Sequence, residues 1–397
     1  MDIQLSDRVR RIKPSPTLAV TARAAELRAA GHDIIGLGAG EPDFDTPAPI
    51  KAAAIAAIEA GQTKYTPVDG TPGLKQAIIN KFEGENGLRY APEQILVSCG
   101  GKQSFYNLAQ ALLNSGDEVI IPAPYWVSYP DMVRLADGVP VELSAGIDQQ
   151  FKLTPAQLEA AITPRTRLFV INSPSNPTGV AYSRTELAAL GEVLSRHPRV
   201  LIATDDMYEH ILWADEPFCN IVNACPELQE RTFVLNGVSK AYAMTGWRIG
   251  YAGGPAEVIQ AMKKIQSQST SNPASVSQAA AQAALEGDQG CIAPMLAAFR
   301  ERHDFVVQAL NAIPGVRCLP GDGTFYCFPN VEPVIDRLEG VTNDVELAER
   351  ILADAGVALV PGSAFGAPGH LRLSFATSMD NLRKALSRLG DFLTPRT

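Results

Sequence analysis

The stretch "VLIATDDMY" at 200–208 begins as a nearly continuous run of apolar and β-branched residues and then becomes acidic. A continuous apolar run is typical of a strand buried on both faces, as in a parallel sheet covered by helices. Four similar runs occur in the chain: "QILVSC" at 94–99, "EVIIP" at 118–122, "RLFVIN" at 167–172 and "TFVLNG" at 232–237. Because helical patterns alternate with these runs, we predict a three-layer α/β domain with a mostly parallel central sheet.

The pattern changes near residue 290. The segment "APMLAAFRERHDFVVQALNAI" at 293–313 predicts a long amphipathic helix. Short strands are predicted at 324–328, 357–361 and 371–375, and helices at 18–30, 71–82, 101–113 and 379–393. We therefore predict a large domain over 47–290 and a smaller α+β domain formed by 1–46 plus 291–397.

The composition indicates a globular protein and limits its partners. The chain has 397 residues, 46% of them hydrophobic, and a net charge of −9, which argues against nucleic acid or an anionic membrane as the main partner. The N-terminal segment lacks the apolar core of a signal peptide, and no stretch is long and apolar enough to span a bilayer. The six cysteines contain no CxxC pair, so we expect reduced thiols, no metal site and a cytoplasmic location.

Polar or aromatic residues follow each of the five predicted strands. In an open α/β sheet, ligands bind beyond the carboxyl ends of the strands. Any one of these segments alone is compatible with a simple turn, but five together predict a binding site at one edge of the sheet. The segments are Gly100-Gly101-Lys102, Tyr125-Trp126, "SPSNPTG" at 173–179, "DDMY" at 205–208 and Val238-Ser239-Lys240.

Two ionisable residues at this edge have unusual surroundings. Lys240 lies among small residues in "LNGVSKAYAMTGWRIGYAGG" (235–254), where burial would lower its pKa and make the amine a nucleophile. The alternative is a lysine at the edge of the core that extends to water. Asp205 ends an apolar run, where a carboxylate is costly unless it faces a cation such as a protonated pyridine nitrogen. Its alternative is a helix N-cap.

The remaining candidates also have both a functional and a structural interpretation. Gly100-Gly101 before a helix predicts an anion cradle or a plain turn, and Arg248 either closes that cradle or forms a surface ion pair. Trp126 either stacks on an aromatic ring or packs in the core. Asn176 and Tyr208 are candidates to donate to a ring oxygen. The structural alternative for Asn176 is an Asn-Pro turn. The glycines at 36, 38 and 40 do not match a dinucleotide fingerprint.

Over nearly its whole length the sequence resembles the class I/II aminotransferases, the fold-type-I enzymes that use pyridoxal 5′-phosphate (PLP). Within that group it is most similar to the bacterial branch that acts on aspartate and prephenate. The segments that carry the resemblance are "AGEPDFDTP" at 39–47, "KYTPVDGTPGLKQAI" at 64–78, "GGKQSFYNLAQALL" at 100–113, "APYWVSYP" at 123–130, "NSPSNPTG" at 172–179, "TDDMYEH" at 204–210, "SKAYAMTGWRIGY" at 239–251 and "LRLSFATS" at 371–378.

The resemblance implies a role for each candidate. Lys240 would hold PLP as a Schiff base and move the substrate proton, with Asp205 facing the ring nitrogen. Arg372 would bind the substrate α-carboxylate, and Gly40 would contact the substrate. Further implied contacts are Asn176 and Tyr208 to the ring oxygen, Trp126 to the ring face, Gly101, Lys102 and Arg248 to the phosphate, and Tyr65 to the phosphate of a neighbouring subunit in a homodimer with shared active sites.

The sequence departs from the family pattern at three places. One is a mild change: "TDD" at 204–206 stands where "SDE" or "ADE" is usual. Gly237, three residues before the lysine, stands where a phosphate-binding serine is common. The segment "QSQSTSNPAS" at 266–275 lacks the arginine that the animal-type branch uses for the distal carboxylate. Lys13 resembles the lysine that does this in the bacterial branch, and its alternative is an exposed basic residue. For these reasons the distal carboxylate contact is predicted at Lys13.

The expected reaction is transfer of the amino group of L-aspartate to 2-oxoglutarate. Aromatic amino acids, prephenate and kynurenine are the alternative substrates for the same chemistry. A PLP-dependent β-lyase would share Lys240 and Asp205. A regulatory module that has lost catalysis is disfavoured, because the chain keeps the lysine and has no basic helix-turn-helix segment.

Overall fold

The computed structural model describes residues 3–394. The strands are β1 (Ile35–Gly36), β2 (Ile95–Ser98), β3 (Glu118–Ala123), β4 (Val139–Ser144), β5 (Thr166–Asn172), β6 (Leu201–Asp205), β7 (Thr232–Gly237), β8 (Gly250–Gly253), β9 (Tyr326–Cys327), β10 (Val357–Ala358), β11 (Val360–Pro361) and β12 (Leu371–Ser374). The helices are α1 (Asp7–Arg10), α2 (Pro16–Ala29), α3 (Ala48–Glu59), α4 (Pro72–Asn86), α5 (Gly101–Leu112), α6 (Tyr129–Leu135), α7 (Pro155–Ala161), α8 (Arg184–Arg196), α9 (Ile221–Ala224), α10 (Ala256–Ser267), α11 (Ser275–Glu286), α12 (Ile292–Asn311), α13 (Glu332–Arg337), α14 (Asp344–Arg350) and α15 (Met379–Leu393).

Seven strands form the central sheet, in the order β2-β8-β7-β6-β5-β3-β4. The pairs from β7 through β6, β5 and β3 to β4 are parallel, and only β8 runs antiparallel to its neighbours β2 and β7. The predicted mostly parallel sheet is therefore confirmed. Strands β4 and β8 were not predicted. Because β2 and β7 both oppose β8, the carboxyl ends of all five predicted strands lie at one edge.

Helices cover both faces of this sheet. Consecutive residues of β5 alternate between two apolar clusters, with Phe169 and Ile171 in one and Leu168 and Val170 in the other. Helices α4, α8 and α11 contribute to the first cluster, and α5 and α10 contribute to the second. Each fully buried aliphatic or aromatic side chain contributes about 1.5–3 kcal/mol to folding. This arrangement is the predicted three-layer α/β architecture.

Local signals account for the helix ends. Helix α4 begins at Pro72 because the Thr71 hydroxyl accepts a hydrogen bond from the Leu74 amide, and it ends before Gly87, which has a φ of 66°. It therefore extends past the predicted end at residue 82, since the capping glycine lies further along the chain. Helix α15 matches its predicted bounds and is capped by Ser378.

The C-terminal part forms two small sheets with an apolar core of their own. Strands β11, β12 and β9 form an antiparallel sheet, and β10 pairs in parallel with β1. The prediction of one strand over 357–361 was wrong, because β10 and β11 join different sheets. Their core includes residues of α12 and α15 together with Ile35 and Leu37. This second core supports the division into 47–290 and 1–46 plus 291–397, which stays a prediction.

Within residues 3–394, no helix combines the length and the apolar character needed to cross a bilayer. All six cysteines lie in this range and none of them forms a disulfide. The prediction of free thiols is therefore confirmed.

Candidate active site

A cleft of about 460 Å³ lies at the carboxyl edge of the central sheet. The segments that follow all five predicted strands contribute to its lining, as sequence reasoning anticipated. From the other side, Gly40 and Arg372 line the same cleft, together with four residues around the start of α2: Ser15, Thr17, Leu18 and Thr21. The cleft therefore lies between the large sheet and the C-terminal core. The predicted residues that line it are Gly40, Gly101, Lys102, Trp126, Asn176, Asp205, Tyr208, Lys240, Arg248 and Arg372.

Lys240 extends from the turn after β7 into this cleft. Its Nζ atom donates to the backbone oxygen of Gly40 at 2.6 Å and lies 5.7 Å from the ring centre of Phe325. Burial lowers the pKa of the Lys240 amine to about 8, and the positive charges of Arg372 and Arg248 act in the same direction. A substantial fraction of the amine is therefore neutral, and nucleophilic, near physiological pH.

Asp205 ends β6 at the base of the cleft. Its Oδ2 atom accepts a hydrogen bond from the Tyr129 hydroxyl at 2.5 Å, and Oδ1 accepts one from the Met207 amide at 3.3 Å. Burial raises the pKa of the Asp205 carboxyl, whereas the Tyr129 hydrogen bond and the charge of Lys240 oppose that rise. The carboxylate is suited to a cationic or N–H group in the cleft, because such a partner would compensate its desolvation.

The start of α5 forms an anion-binding cradle. Gly100 has a φ of 89°, and a Cβ atom there would lie 2.8 Å from the guanidinium carbon of Arg248. A Cβ atom on Gly250 of β8 would overlap the Gly101 amide, so glycine is required on both sides of the cradle. The first N–H groups of any helix lack intrahelical acceptors and attract anions. With Arg248 beside them, these groups can hold a phosphate.

Lys102 and Trp126 form the wall next to the cradle. The Lys102 Nζ atom lies 5.3 Å from the ring centre of Trp126, a cation–π distance. Burial, and to a smaller extent the charge of Arg248, lowers the pKa of Lys102. The Trp126 ring lies edge-on to Tyr129, with centroids 5.2 Å apart and an interplanar angle of 88°. This contact fixes the ring plane that an aromatic ligand would meet.

Arg372 on β12 is buried, with 2% of its surface exposed. Its Nη1 atom donates to Oδ1 of Asn176 at 2.9 Å, and Nη2 donates to the backbone oxygen of Gly38 at 2.7 Å. The Nε–H group has no acceptor among residues 3–394. An unpartnered N–H on a buried guanidinium at the cleft is suited to a carboxylate ligand, which arginine binds in a bidentate manner.

Tyr208 and Tyr326 connect the two sides of the cleft. Their hydroxyl oxygens lie 3.1 Å apart, and the Arg372 guanidinium lies 4.4 Å from the Tyr326 ring centre. A Cβ atom at Gly40 would lie 2.5 Å from the Tyr326 hydroxyl, so glycine is needed there as well. Burial raises the pKa of Tyr208 well above its ordinary value, and the phenol is therefore a neutral hydrogen-bond donor.

The family model for aminotransferase class I and II matches residues 32–389. The chain belongs to this family. The match includes every residue that we predicted for the site except Lys13. The aminotransferase fold therefore accounts for both the central sheet and the C-terminal core.

Curated relatives and solved structures agree with this assignment. The aminotransferase is 62% identical to an aspartate/prephenate aminotransferase of Nitrosomonas europaea over 99% of this chain and 100% of that protein. It is 50% identical to an aspartate aminotransferase of Geobacillus stearothermophilus, again over 99% and 100%. The crystal structure of the Rhizobium meliloti aspartate aminotransferase superimposes with a TM-score of 0.95 at 48% identity, covering 99% of both chains. The Thermus thermophilus aspartate aminotransferase with maleate gives 0.93 at 45% identity, covering 98% of this chain and 100% of that one.

Two predicted residues lie outside the cleft of this aminotransferase chain. Tyr65 is 93% exposed, so it does not serve the site of its own chain. Lys13 is also exposed and does not line the cleft, although Ser15, two residues further on, does. Within the single chain, therefore, neither Tyr65 nor Lys13 makes the contact that was predicted for it.

Sequence reasoning missed several side chains at the site. Tyr129 lies in the segment 123–130 and Tyr326 in the strand predicted at 324–328. No local pattern indicated that their hydroxyls reach Asp205 and Tyr208, respectively. Thr17 was also missed; the residue lines the cleft, and its buried hydroxyl has no hydrogen-bond partner among residues 3–394. Thr17 lies one residue before the helix predicted over 18–30, so that prediction did not point to it.

Gly237 lies where packing leaves little room for a side chain. A Cβ atom there would lie 3.0 Å from the Ile249 backbone oxygen and 3.1 Å from the Met207 methyl group. The Met207 methyl group also faces Gly101. A serine side chain at this position would therefore need Met207 or the neighbouring backbone to move.

Proposed function

We propose that the protein transfers the α-amino group of L-aspartate to 2-oxoglutarate, giving oxaloacetate and L-glutamate, with PLP as its cofactor. The observation that carries the proposal is the convergence of Lys240, Asp205 and Arg372 in one cleft. These side chains supply an amine of lowered pKa, a carboxylate and a buried guanidinium. The names of the curated relatives support aspartate as the amino donor.

The residues present fit PLP. The N–H groups at the start of α5, with Arg248, would hold the phosphate, and Trp126 would face the ring. Asp205 would face the ring nitrogen, while Asn176 and Tyr208 would donate to the ring oxygen and Lys240 would bond the cofactor covalently. The chemistry that PLP supplies when bound is an electron-withdrawing ring that takes up the electron pair released when the substrate loses its α-proton.

Lys240 is proposed to carry the proton in the reaction. Its amine, with a pKa of about 8, is basic enough to accept a proton from the substrate α-carbon and acidic enough to return it. The hydrogen bond from Nζ to the Gly40 oxygen holds the amine near the segment that we propose contacts the substrate. Gly40 thus orients the base as well as the substrate.

Arg372 is proposed to bind the α-carboxylate of the substrate. Its contacts to Asn176 and Gly38 fix the plane of the guanidinium before substrate arrives, which lowers the entropic cost of binding. We propose Lys13 for the distal carboxylate; Thr17 and Thr21 of α2, further along the chain, line the cleft. A separate cation for each carboxylate would select dicarboxylic substrates.

We further propose a cytoplasmic homodimer with shared active sites. Several large apolar side chains near the N-terminus and α3 are exposed in the single chain, and a partner subunit would cover them. They are Ile3, Leu5, Val9, Leu18, Ile55 and Ile58. The exposed Tyr65 is available to the partner's phosphate site, which is the role that the family resemblance implies.

The test is a half-reaction scan of the PLP-loaded enzyme. L-aspartate, L-glutamate, L-phenylalanine, L-alanine and L-kynurenine are added in turn, and loss of the cofactor absorbance band is followed in the wild type, Lys13→Ala and Lys264→Ala. Lys264 is an exposed lysine of α10 and serves as the matched control. Fast conversion by aspartate and glutamate, lost in Lys13→Ala alone, is the expected result. Fast conversion by phenylalanine or kynurenine, unaffected in Lys13→Ala, would contradict the aspartate proposal.

A second candidate uses prephenate as the amino acceptor. Two curated relatives, 62% and 58% identical to this chain, are named aspartate/prephenate aminotransferases. Incubating the aminated enzyme with prephenate, and separately with an aromatic 2-oxo acid, distinguishes this activity from aromatic transamination. A β-lyase would instead release ammonia and pyruvate from a cysteine conjugate without any acceptor.

A further inference from the structure

The Tyr129 hydroxyl is a buried neighbour of Asp205 that does not itself line the cleft. Tyr129 begins α6 and is 1% exposed, and its hydroxyl donates to Asp205 Oδ2 at 2.5 Å. Its ring is held by Trp126 and by Phe105, whose centroid lies 4.9 Å away. The donor is therefore fixed against Asp205 from outside the cleft.

Asp205 has few other polar contacts. The Met207 amide reaches Oδ1 at 3.3 Å, and Asn172 donates only to the backbone oxygen of Asp205. The ionisable groups that face this pair from neighbouring elements are Lys240 on the cleft side, and Tyr208 and Asp206 after β6. Among these surroundings, the Tyr129 hydroxyl makes the shortest contact to the carboxylate.

We infer that Tyr129 is a positioning residue. Acting through Asp205, it keeps the proton of the hydrogen bond between Asp205 and the PLP ring on the ring nitrogen. This inference rests on the proposed function, because it needs PLP in the cleft. Tyr129 is not among the residues that line the cleft. It acts only through the carboxylate.

The physical reason is the basicity of the carboxylate. A hydrogen bond from Tyr129 stabilises the ionised form of Asp205 and so makes it a weaker base. Burial raises the pKa of Asp205, and the Tyr129 hydrogen bond is the strongest of the contacts that oppose this rise. Without it, the buried carboxylate would compete for the proton of the ring N–H group. The ring would then become a neutral pyridine, which withdraws electrons less strongly.

The experiment compares the wild type with Tyr129→Phe and a matched control, Tyr125→Phe. Tyr125 lies four residues earlier, and its hydroxyl donates to Glu142 at 2.7 Å, outside the cleft. The enzymes are loaded with PLP that carries ¹⁵N in the ring, and the ¹⁵N chemical shift reports ring protonation. In Tyr129→Phe the shift should move toward the unprotonated value, and in Tyr125→Phe it should equal that of the wild type.

A kinetic measurement accompanies the spectra. The rate of the half-reaction with a saturating amino acid should fall about 10- to 100-fold in Tyr129→Phe, the effect of losing one hydrogen bond to a charged group, with KM unchanged. The phenyl ring keeps the contacts to Trp126 and Phe105, so the melting temperature checks that the packing is intact. A ¹⁵N shift in Tyr129→Phe equal to the wild-type value would overturn the inference, whatever the rate.

A cofactor-free measurement keeps the test decisive if Tyr129→Phe does not take up PLP. Infrared spectra of the wild-type and Tyr129→Phe apoproteins are recorded with and without an added Asp205→Asn substitution. The difference between the paired spectra reports the protonated Asp205 carboxyl. That band should appear at higher pH in Tyr129→Phe than in the wild type, and an unchanged pH dependence would overturn the inference. If the wild type itself does not bind PLP, the proposed function fails, but the infrared comparison still tests the effect of Tyr129 on Asp205.

Discussion

Arg372 on β12 donates through Nη1 to Oδ1 of Asn176, which follows β5 in the central sheet, at 2.9 Å. The two residues are 196 positions apart, and their bond connects the C-terminal core to the large sheet across the cleft. The proposed carboxylate clamp is therefore assembled only when the two parts of the chain are in contact. A movement of the C-terminal part would therefore displace Arg372, the buried residue that we propose binds the substrate α-carboxylate.

Replacing Arg372 by lysine should reduce kcat/KM for every amino donor about 10- to 150-fold. A lysine cannot reproduce the fork that contacts Asn176, Gly38 and the substrate at once, and each hydrogen bond to a charged group is worth about 1.5–3 kcal/mol. Steady-state kinetics measure this loss. Arg350→Lys, which alters an exposed pair with Asp354, should leave kcat/KM unchanged. An equal effect in both variants would show that Arg372 does not bind substrate.

The reactivity of Lys240 should depend on pH with a midpoint near 8. Because the pKa of the amine is lowered to about 8, the neutral nucleophile predominates above that pH and disappears below it. The measurement is the rate at which an amine-reactive reagent labels the Lys240 peptide of the apoprotein. Arg372→Met should move the midpoint to higher pH, since a positive charge that disfavours the ammonium is removed. A midpoint above pH 10 in the wild type would contradict the burial of this amine.

Adding a methyl group at Gly100 should weaken PLP binding at least tenfold. The Cβ atom of Gly100→Ala would collide with the Arg248 guanidinium beside the cradle. Gly116→Ala is the matched control, because Gly116 has a similar φ of 87° but open space around the new Cβ atom. Each variant should lose about 1–3 kcal/mol of stability from backbone strain. PLP titration of the apoproteins should separate them, and equal affinities would argue against the cradle.

Removing Lys81 should destabilise the protein by about 3–5 kcal/mol, because it leaves a buried carboxylate unpaired. The Lys81 ammonium contacts Glu209, and their side chains are 1% and 4% exposed. Denaturant unfolding of Lys81→Met measures the loss, and adding Glu209→Gln should restore part of it. Arg89→Met, in the exposed pair with Glu83, should cost less than about 1 kcal/mol. Equal losses of stability in Lys81→Met and Arg89→Met would show that burial of the Lys81–Glu209 pair is unimportant.

Local sequence was sufficient to predict five of the seven strands of the central sheet, and the edge of the sheet at which the site lies. The apolar runs ending at Asp205 and Gly237 are short and dense, so they indicate buried strands without any knowledge of their partners. Parallel strands that share a direction bring their carboxyl ends together, which is why residues as distant as Lys102 and Lys240 were expected at one edge. Family resemblance then supplied specific roles for side chains that the local pattern left open.

Tertiary structure alone decided which side chains became partners. Nothing in the local pattern distinguishes Tyr129 from other buried tyrosines, because its contact with Asp205 joins the start of α6 to the end of β6, 76 positions along the chain. The antiparallel strand β8, which places Gly250 against the Gly101 amide, could not be predicted for the same reason. Strand propensity and helix capping act over a few residues, whereas hydrogen-bond partners, burial and the pKa of Lys240 depend on groups that only the folded chain brings together.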